Sequence, residues 1–250
     1  MRANARDNLR VVMARVIERL ADKRGSSTPG RPRKEIAAVD AYQAALEREY
    51  RDWADDAAEQ LADEPEDSRD ELLLALLLLL LRRLAKLGED TIPEAVALGG
   101  GTSASVFTKL AELIGSNTDT LTNSLIPAIA AKLRAALVDA DIQLALAAGK
   151  GAEALAGVLE TFIARVGSYA GQWWKAYNQS VGARSVQDGV GLMAHLDPRA
   201  HHCTECPEFH AEGGRPYASF TEYLDTTGGR TPGDFECGAN CRCWLEYQAP

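Results

Sequence analysis

The chain has 250 residues, 46% of them hydrophobic, 25% charged and only 6% aromatic. That length is enough to bury a core in one or two domains, and the composition excludes collagenous, low-complexity and fully disordered classes. The formal net charge of −9 argues against a protein dedicated to coating duplex DNA.

The charge is unevenly spread. Residues 1–34 carry ten Lys/Arg against three Asp/Glu, and residues 35–70 carry three against thirteen. A basic arm followed by an acidic segment has two readings. The arm contacts nucleic acid or an acidic protein surface, or its charges are a solvated helix face paired with the acidic segment beside it. The arm lacks the aromatic interleaving of single-strand binders, which favours the second.

The spacing of Leu9, Val12, Val16, Ile17 and Leu20 predicts an amphipathic helix over residues 2–24. No apolar stretch follows this basic start, so no secretory signal is read. Residues 25–32 (GSSTPGRP) form a linker. Residues 35–62 return to helical composition with a dense acidic face, and Pro65 interrupts them. Ser68 to Glu71 has the capping-box pattern. It opens a run of ten apolar residues, 72–81, that Arg82 and Arg83 end. At a rise of ~1.5 Å per residue the run spans roughly 15 Å, half a bilayer core. It is apolar all round, which predicts a central bundle helix or a helix at an oligomer interface, surrounded by protein on most faces. Arg82, Arg83 and Lys86 followed by Gly88 match a helix end, and Thr91 to Glu94 (TIPE) a new start.

Gly99, Gly100 and Gly101 lack the Gly-Lys-Ser/Thr ending of a phosphate loop and predict a break between helices. Residues 119–148 read as helical with Pro127 as a kink or first-turn residue, and Gly149 and Gly151 close them. Residues 152–194 read as a long helical stretch. Leu155, Leu159, Phe162, Val166 and Tyr169 keep helical spacing, and Trp173, Trp174 and Tyr177 continue the apolar surface.

Composition changes after about His195. Residues 195–250 hold all five cysteines, all four histidines and half of the ten prolines. This predicts a loop-rich module with short strands over residues 215–220 and 242–247. A segment of that size needs a staple. The expected fold is mainly α. A basic helix and linker (1–34) and a multi-helix body (35–194) precede a small zinc-stapled C-terminal module (195–250).

Cys203 and Cys206 form a CxxC, and Cys237, Cys241 and Cys243 a second cluster thirty residues on. A CxxC turn points two thiolates at one spot, the first half of a tetrahedral zinc site, and a second close pair completes it. Five cysteines leave one spare, and His201, His202 and His210 are near enough to substitute. Reduced thiols packed as small hydrophobes, or disulfides, are the competing readings. His210 and Glu212 ahead of Cys237 and Cys241 loosely fit the zinc-deaminase pattern. Glu236 stands where that pattern has proline, and the cysteines are one residue too far apart.

The stretches HLDPRAHHCTECP (195–207) and TPGDFECGANCRC (231–243), with Trp173, Trp174, Tyr177 and Asn178 upstream, resemble the C-terminal module of phage head-morphogenesis, or minor head, proteins. The resemblance covers roughly residues 160–247. Family members often carry His-Pro before the Asn-Cys-Arg-Cys, where Gly238 and Ala239 stand here. The ligand set therefore stays open among the five cysteines.

The resemblance implies a structural virion or procapsid component, not an enzyme, assembled in the host cytoplasm. Its partners would be portal or major capsid proteins, with packaged DNA touched through the basic arm. It would be oligomeric, with no membrane in the assembled state. The alternative is a zinc-module nucleic-acid-binding or adaptor protein using the basic arm.

Overall fold

Apolar spacings of three and four residues become helix along most of the chain, in a computed structural model that describes residues 33–99, 104–197, 203–236 and 243–248. The helix expected over residues 2–24 and the linker after it lie outside the described residues. The fold is mainly helical, with a small antiparallel sheet near the C-terminus.

Helix α1 (Arg33–Asp63) buries Tyr42, Leu46, Tyr50, Trp53, Ala57 and Leu61, a single stripe at three- and four-residue spacing. Its acidic Asp52, Asp55, Asp56 and Glu59 are exposed on the opposite side. Pro65 follows, a 3-10 turn spans Glu66–Ser68, and helix α2 runs over Arg69–Leu98. The Ser68 hydroxyl donates to the Pro65 carbonyl at 3.2 Å.

Helix α2 corrects the expected boundaries. It does not end at Gly88 or restart at Thr91; it is continuous through both and carries Pro93 inside it. Gly88 is there for space. A Cβ on it would run into the Asn117 side chain and lie 3.5 Å from the Tyr42 hydroxyl. Within the single chain the leucine run is buried on one side. Leu73, Leu76, Leu77 and Leu80 are buried, while Leu74, Leu78 and Leu79 are exposed, which is not a central bundle helix and leaves the interface reading open.

The break expected at the glycine triplet falls between α2 and helix α3 (Ala104–Thr120), with residues 100–103 outside the described set. The helix expected over residues 119–148 is instead broken. A π-helical turn over Leu121–Leu125 leads into helix α4 (Ile126–Leu137), with Pro127 in its first turn. The wider turn makes room for a proline ring that would otherwise clash with the carbonyl four residues back. Helix α5 (Ala140–Ala147) starts on Asp139, whose carboxylate accepts from the N–H groups of Asp141 (3.0 Å) and Ile142 (3.3 Å). It stops at Gly149, whose φ of +72° closes a Schellman motif. Gly149 N–H donates to Leu146 and Lys150 N–H to Ala145.

The long stretch after Gly151 is also segmented, into α6 (Gly151–Glu160), α7 (Ile163–Ser168) and α8 (Gly171–Asp188), and it ends in strand β1 (Leu192–His195). The remaining elements are α9 (Cys206–Phe209), β2 (Arg215–Tyr217), α10 (Phe220–Thr227) and β3 (Trp244–Tyr247). β2 and β3 fall inside the two stretches expected as strands. β1 was read as helix, yet it is the central strand of the order β2-β1-β3, pairing antiparallel with both neighbours. Leu192 and Ala194 are its buried face, a two-residue alternation too short to stand out against the helical stretch before it.

The chain divides into two compact units. One comprises Asp40–Glu89 and Ile114–Ala170, the other Met1–Val39, Asp90–Leu113 and Gly171–Pro250. In the first, Tyr50 hydroxyl donates to the Leu159 carbonyl (2.8 Å), and Trp53 indole N–H to the Leu76 carbonyl (2.8 Å). These bonds tie α1 to α6 and α2. In the second, α8 is the central element. Gly99 lets the end of α2 approach it so closely that a Cβ would lie 2.6 Å from the Tyr177 carbonyl. Gly182 similarly leaves room for the Phe220 ring at the start of α10.

Candidate metal centre

Helix α8 carries Trp173, Trp174, Tyr177 and Asn178, all buried. The Trp173, Trp174 and Tyr177 rings stack at centroid distances of 5.1–6.3 Å. Two of the four hold the final strand. The Trp174 indole N–H donates to the Cys243 carbonyl at 2.5 Å. The Asn178 carboxamide oxygen accepts from the Leu245 N–H at 2.7 Å, while its NH2 group donates to the Trp174 carbonyl at 2.8 Å. The aromatic group is therefore the seat of β3. At the far end of the same strand, Arg184 donates to the Tyr247 hydroxyl at 2.7 Å and lies 3.9 Å over its ring.

Against this frame sits a small apolar cluster of Cys206, Phe235 and Cys243, all buried, with Leu196, Cys203 and Phe209 packed on it. Three of the five cysteines predicted as metal ligands are thus brought together. Cys203 and Cys206 have their sulfurs 3.4 Å apart, far beyond a covalent S–S bond. No disulfide joins Cys203, Cys206 and Cys243 to one another. Cys237 and Cys241 lie outside the described residues, as do His201 and His202.

Two carboxylates join the cluster, and the sequence reading did not single out either of them. Donor atoms of Cys203, Glu205 and Glu236 all lie within 4.8 Å of one another, close enough to hold a metal ion. The signal was present, since each glutamate is next to or between cysteines of the two clusters. Glu205 has another engagement. Arg230 donates to both of its oxygens, at 2.7 and 2.8 Å. That hydrogen bonding, helped by the Arg230 charge and the Glu236 backbone N–H, holds the Glu205 carboxyl below the usual carboxylate range. The Arg230 guanidinium also lies 5.0 Å over the Phe235 ring, joining the clamp to the apolar cluster. The loop before Glu236 is fixed by Asp234, which pairs with Lys175 of α8 at 2.6 Å and accepts from both the N–H and the hydroxyl of Thr231.

His210 is buried, with both ring nitrogens in protein contacts: Nδ1 is 3.0 Å from the Cys206 carbonyl and Nε2 is 3.1 Å from the Tyr223 hydroxyl. A carbonyl only accepts, so Nδ1 carries a proton and donates it to the Cys206 carbonyl. Glu212, the other half of the deaminase-like pattern, is exposed.

The other unit has a cavity of about 360 Å³ between α1 and α6, lined by Tyr50, Arg51, Asp55 and Glu160 among others, and no cysteine reaches it. Among the described residues no helix is long and apolar enough to cross a membrane. Comparison with protein-family models, with curated proteins and with solved structures found no match for this chain.

Proposed function

We propose that the chain is a structural minor head protein of a tailed bacteriophage, acting in capsid assembly at or near the portal or inside the shell, with a zinc-stapled C-terminal module. The observation that supports this reading is a convergence. Trp174 and Asn178 from the helix that carries the resemblance grip the backbone at Cys243 and Leu245, the end of the terminal cysteine motif. Residues far apart in sequence thus make one packed unit, as a shared module would require.

Cys203 and Cys206 would supply one half of the zinc site. Two of Cys237, Cys241 and Cys243 would supply the other, Cys243 being already in the same cluster. Thiolates are the softer donors and suit zinc better than Glu205, whose oxygens Arg230 occupies. Zinc there supplies a cross-link between separated loops and no chemistry. The chain's own residues do the rest: α8 seats the last strand, and Arg230 fixes the CxxC turn through Glu205. Partners in this reading are portal and major capsid proteins, in the virion or procapsid. Packaged DNA would be met by the basic arm.

Quantitative mass spectrometry of density-banded particles tests the assignment. A stoichiometric signal scaled to the major shell protein is expected, low and fixed for a closed ring at the portal vertex, or higher for the shell interior. Absence from both mature heads and procapsids overturns it. Zinc content of reduced protein purified without chelator tests the staple separately.

A further inference from the structure

The solvent-facing half of the leucine run serves neither the core nor the cysteine module. Leu74, Leu78 and Leu79 are 55%, 51% and 42% exposed, with exposed Ala75 between them. Three leucines on one face of a regular helix form a contiguous apolar stripe, which soluble monomers rarely leave uncovered. At 100° per residue, Glu71 lies on the same face just before the stripe and Arg82 just after it. Both are exposed, while Lys86, one turn further on, pairs with Glu89 at 4.0 Å. The face therefore reads acidic, apolar, basic along the helix.

That order is self-complementary when reversed. We propose that this face is an interface between two copies of the chain, with the α2 helices antiparallel about a two-fold axis passing between residues 76 and 77. The axis sets Leu74 opposite Leu79 and Ala75 opposite Leu78. The same operation sets Glu71 opposite Arg82, so each like end meets an unlike one. A parallel pairing would set Glu71 against Glu71 and Arg82 against Arg82. Glu71 and Arg82 are eleven residues apart, about 16 Å along the axis, so the apolar stripe fills the space between the charged ends. An isologous contact of this kind closes at two copies.

The run is half the length a bilayer core needs, and a charged collar at each end suits a helix partner better than lipid. The chain's own basic N-terminal segment is a poorer occupant, because it would bring positive charge to Arg82. The inference does not rest on the phage reading.

Sedimentation equilibrium of the full chain, over about 1–100 µM, should show a reversible monomer–dimer equilibrium. Leu78→Glu should weaken it at least about tenfold, with an unchanged circular dichroism melt at concentrations where the chain is monomeric, since the side chain is outside the core. Glu71→Arg and Arg82→Glu give a second test that does not depend on the leucines. Each alone sets like charges together and should weaken the dimer, while the double variant should restore it. Mixing the two single variants should give a heterodimer tighter than either homodimer. A full chain that stays monomeric throughout overturns the proposal. So does association indifferent to Leu78→Glu and the charge reversals. Dimers that appear only after removal of residues 1–32 would assign the face to the chain's own arm, and would overturn it too.

Discussion

Trp174 was visible in the sequence as part of an aromatic group, but its task was not. Its indole N–H satisfies the carbonyl of a residue 69 positions away, and spacing along one helix carries no information about such a partner. The same holds for Asn178, which reads as an ordinary helix residue until Leu245 is placed against it. Trp174→Phe keeps most of the ring and removes the donor, leaving a buried carbonyl without its bond. We expect a loss of about 1–3 kcal/mol, read as a lower urea midpoint at unchanged slope. Tyr50 gives a prediction with a pH sign. Burial, then the nearby Glu160 charge, pushes its hydroxyl well above the ordinary tyrosine value of 10.0. The folded chain therefore keeps a proton that the unfolded chain gives up above that pH. Its contribution is intact below about pH 10 and declines as pH rises beyond it. Tyr50→Phe should cost about 1 kcal/mol at neutral pH, through loss of the bond to the Leu159 carbonyl. It should also flatten the alkaline fall in stability. An equally steep alkaline fall in the variant would show that Tyr50 is not its source.

At the scale of elements, the leucine run separates packing from composition. Leu78 and Leu80 are identical in type and two residues apart, but Leu80 is buried and Leu78 half exposed. Leu80→Ala should cost about 2–5 kcal/mol. Leu78→Ala should stay within about 0.5 kcal/mol when measured at concentrations where the chain is monomeric. Equal losses would mean that the run is buried all round, as its composition suggested. Sequence patterning located the helices well, because three- and four-residue spacing survives any tertiary arrangement. It located their ends poorly. Gly88 reads as a stop only if the reader cannot see Asn117 occupying the space a Cβ would need. Gly149 reads correctly, since its φ of +72° is a local requirement that a Schellman turn imposes on its own. The π-helical turn before Pro127 and the strand β1 were not legible. The first is an accommodation between neighbours, and the second is four residues long and defined by partners at 215–217 and 244–247. Ser219 and Glu222 were a missed signal. They form a capping pair, with Ser219 Oγ accepting from Glu222 N–H and Glu222 accepting from Ala218 N–H.

For the whole molecule, each of the two units answers a different question about stability. The unit containing Asp40–Glu89 and Ile114–Ala170 has a broad apolar interior of leucine and aromatic side chains. The C-terminal elements of the other have short strands, three of the cysteines and a small apolar cluster packed beside α8. Elements as short as these bury little area of their own, and an added constraint would stabilise them. The cysteine spacing raises the expectation of such a constraint in the sequence, while Glu205, Arg230 and Glu236 come beside Cys203 only when the loops are folded together. If zinc closes the site, its binding free energy is folding free energy for those elements and for no others. Chelation of the reduced protein should then collapse amide-exchange protection in β1, β3 and α9. The amides of α2 around Leu73, Leu76 and Leu80 should keep theirs. Readdition of zinc should restore the lost protection. A uniform loss across both units would mean that they unfold as one cooperative body. Protection indifferent to chelator would mean that the apolar cluster and the Trp174 and Asn178 bonds hold the module by themselves, with the cysteines acting as small buried hydrophobes.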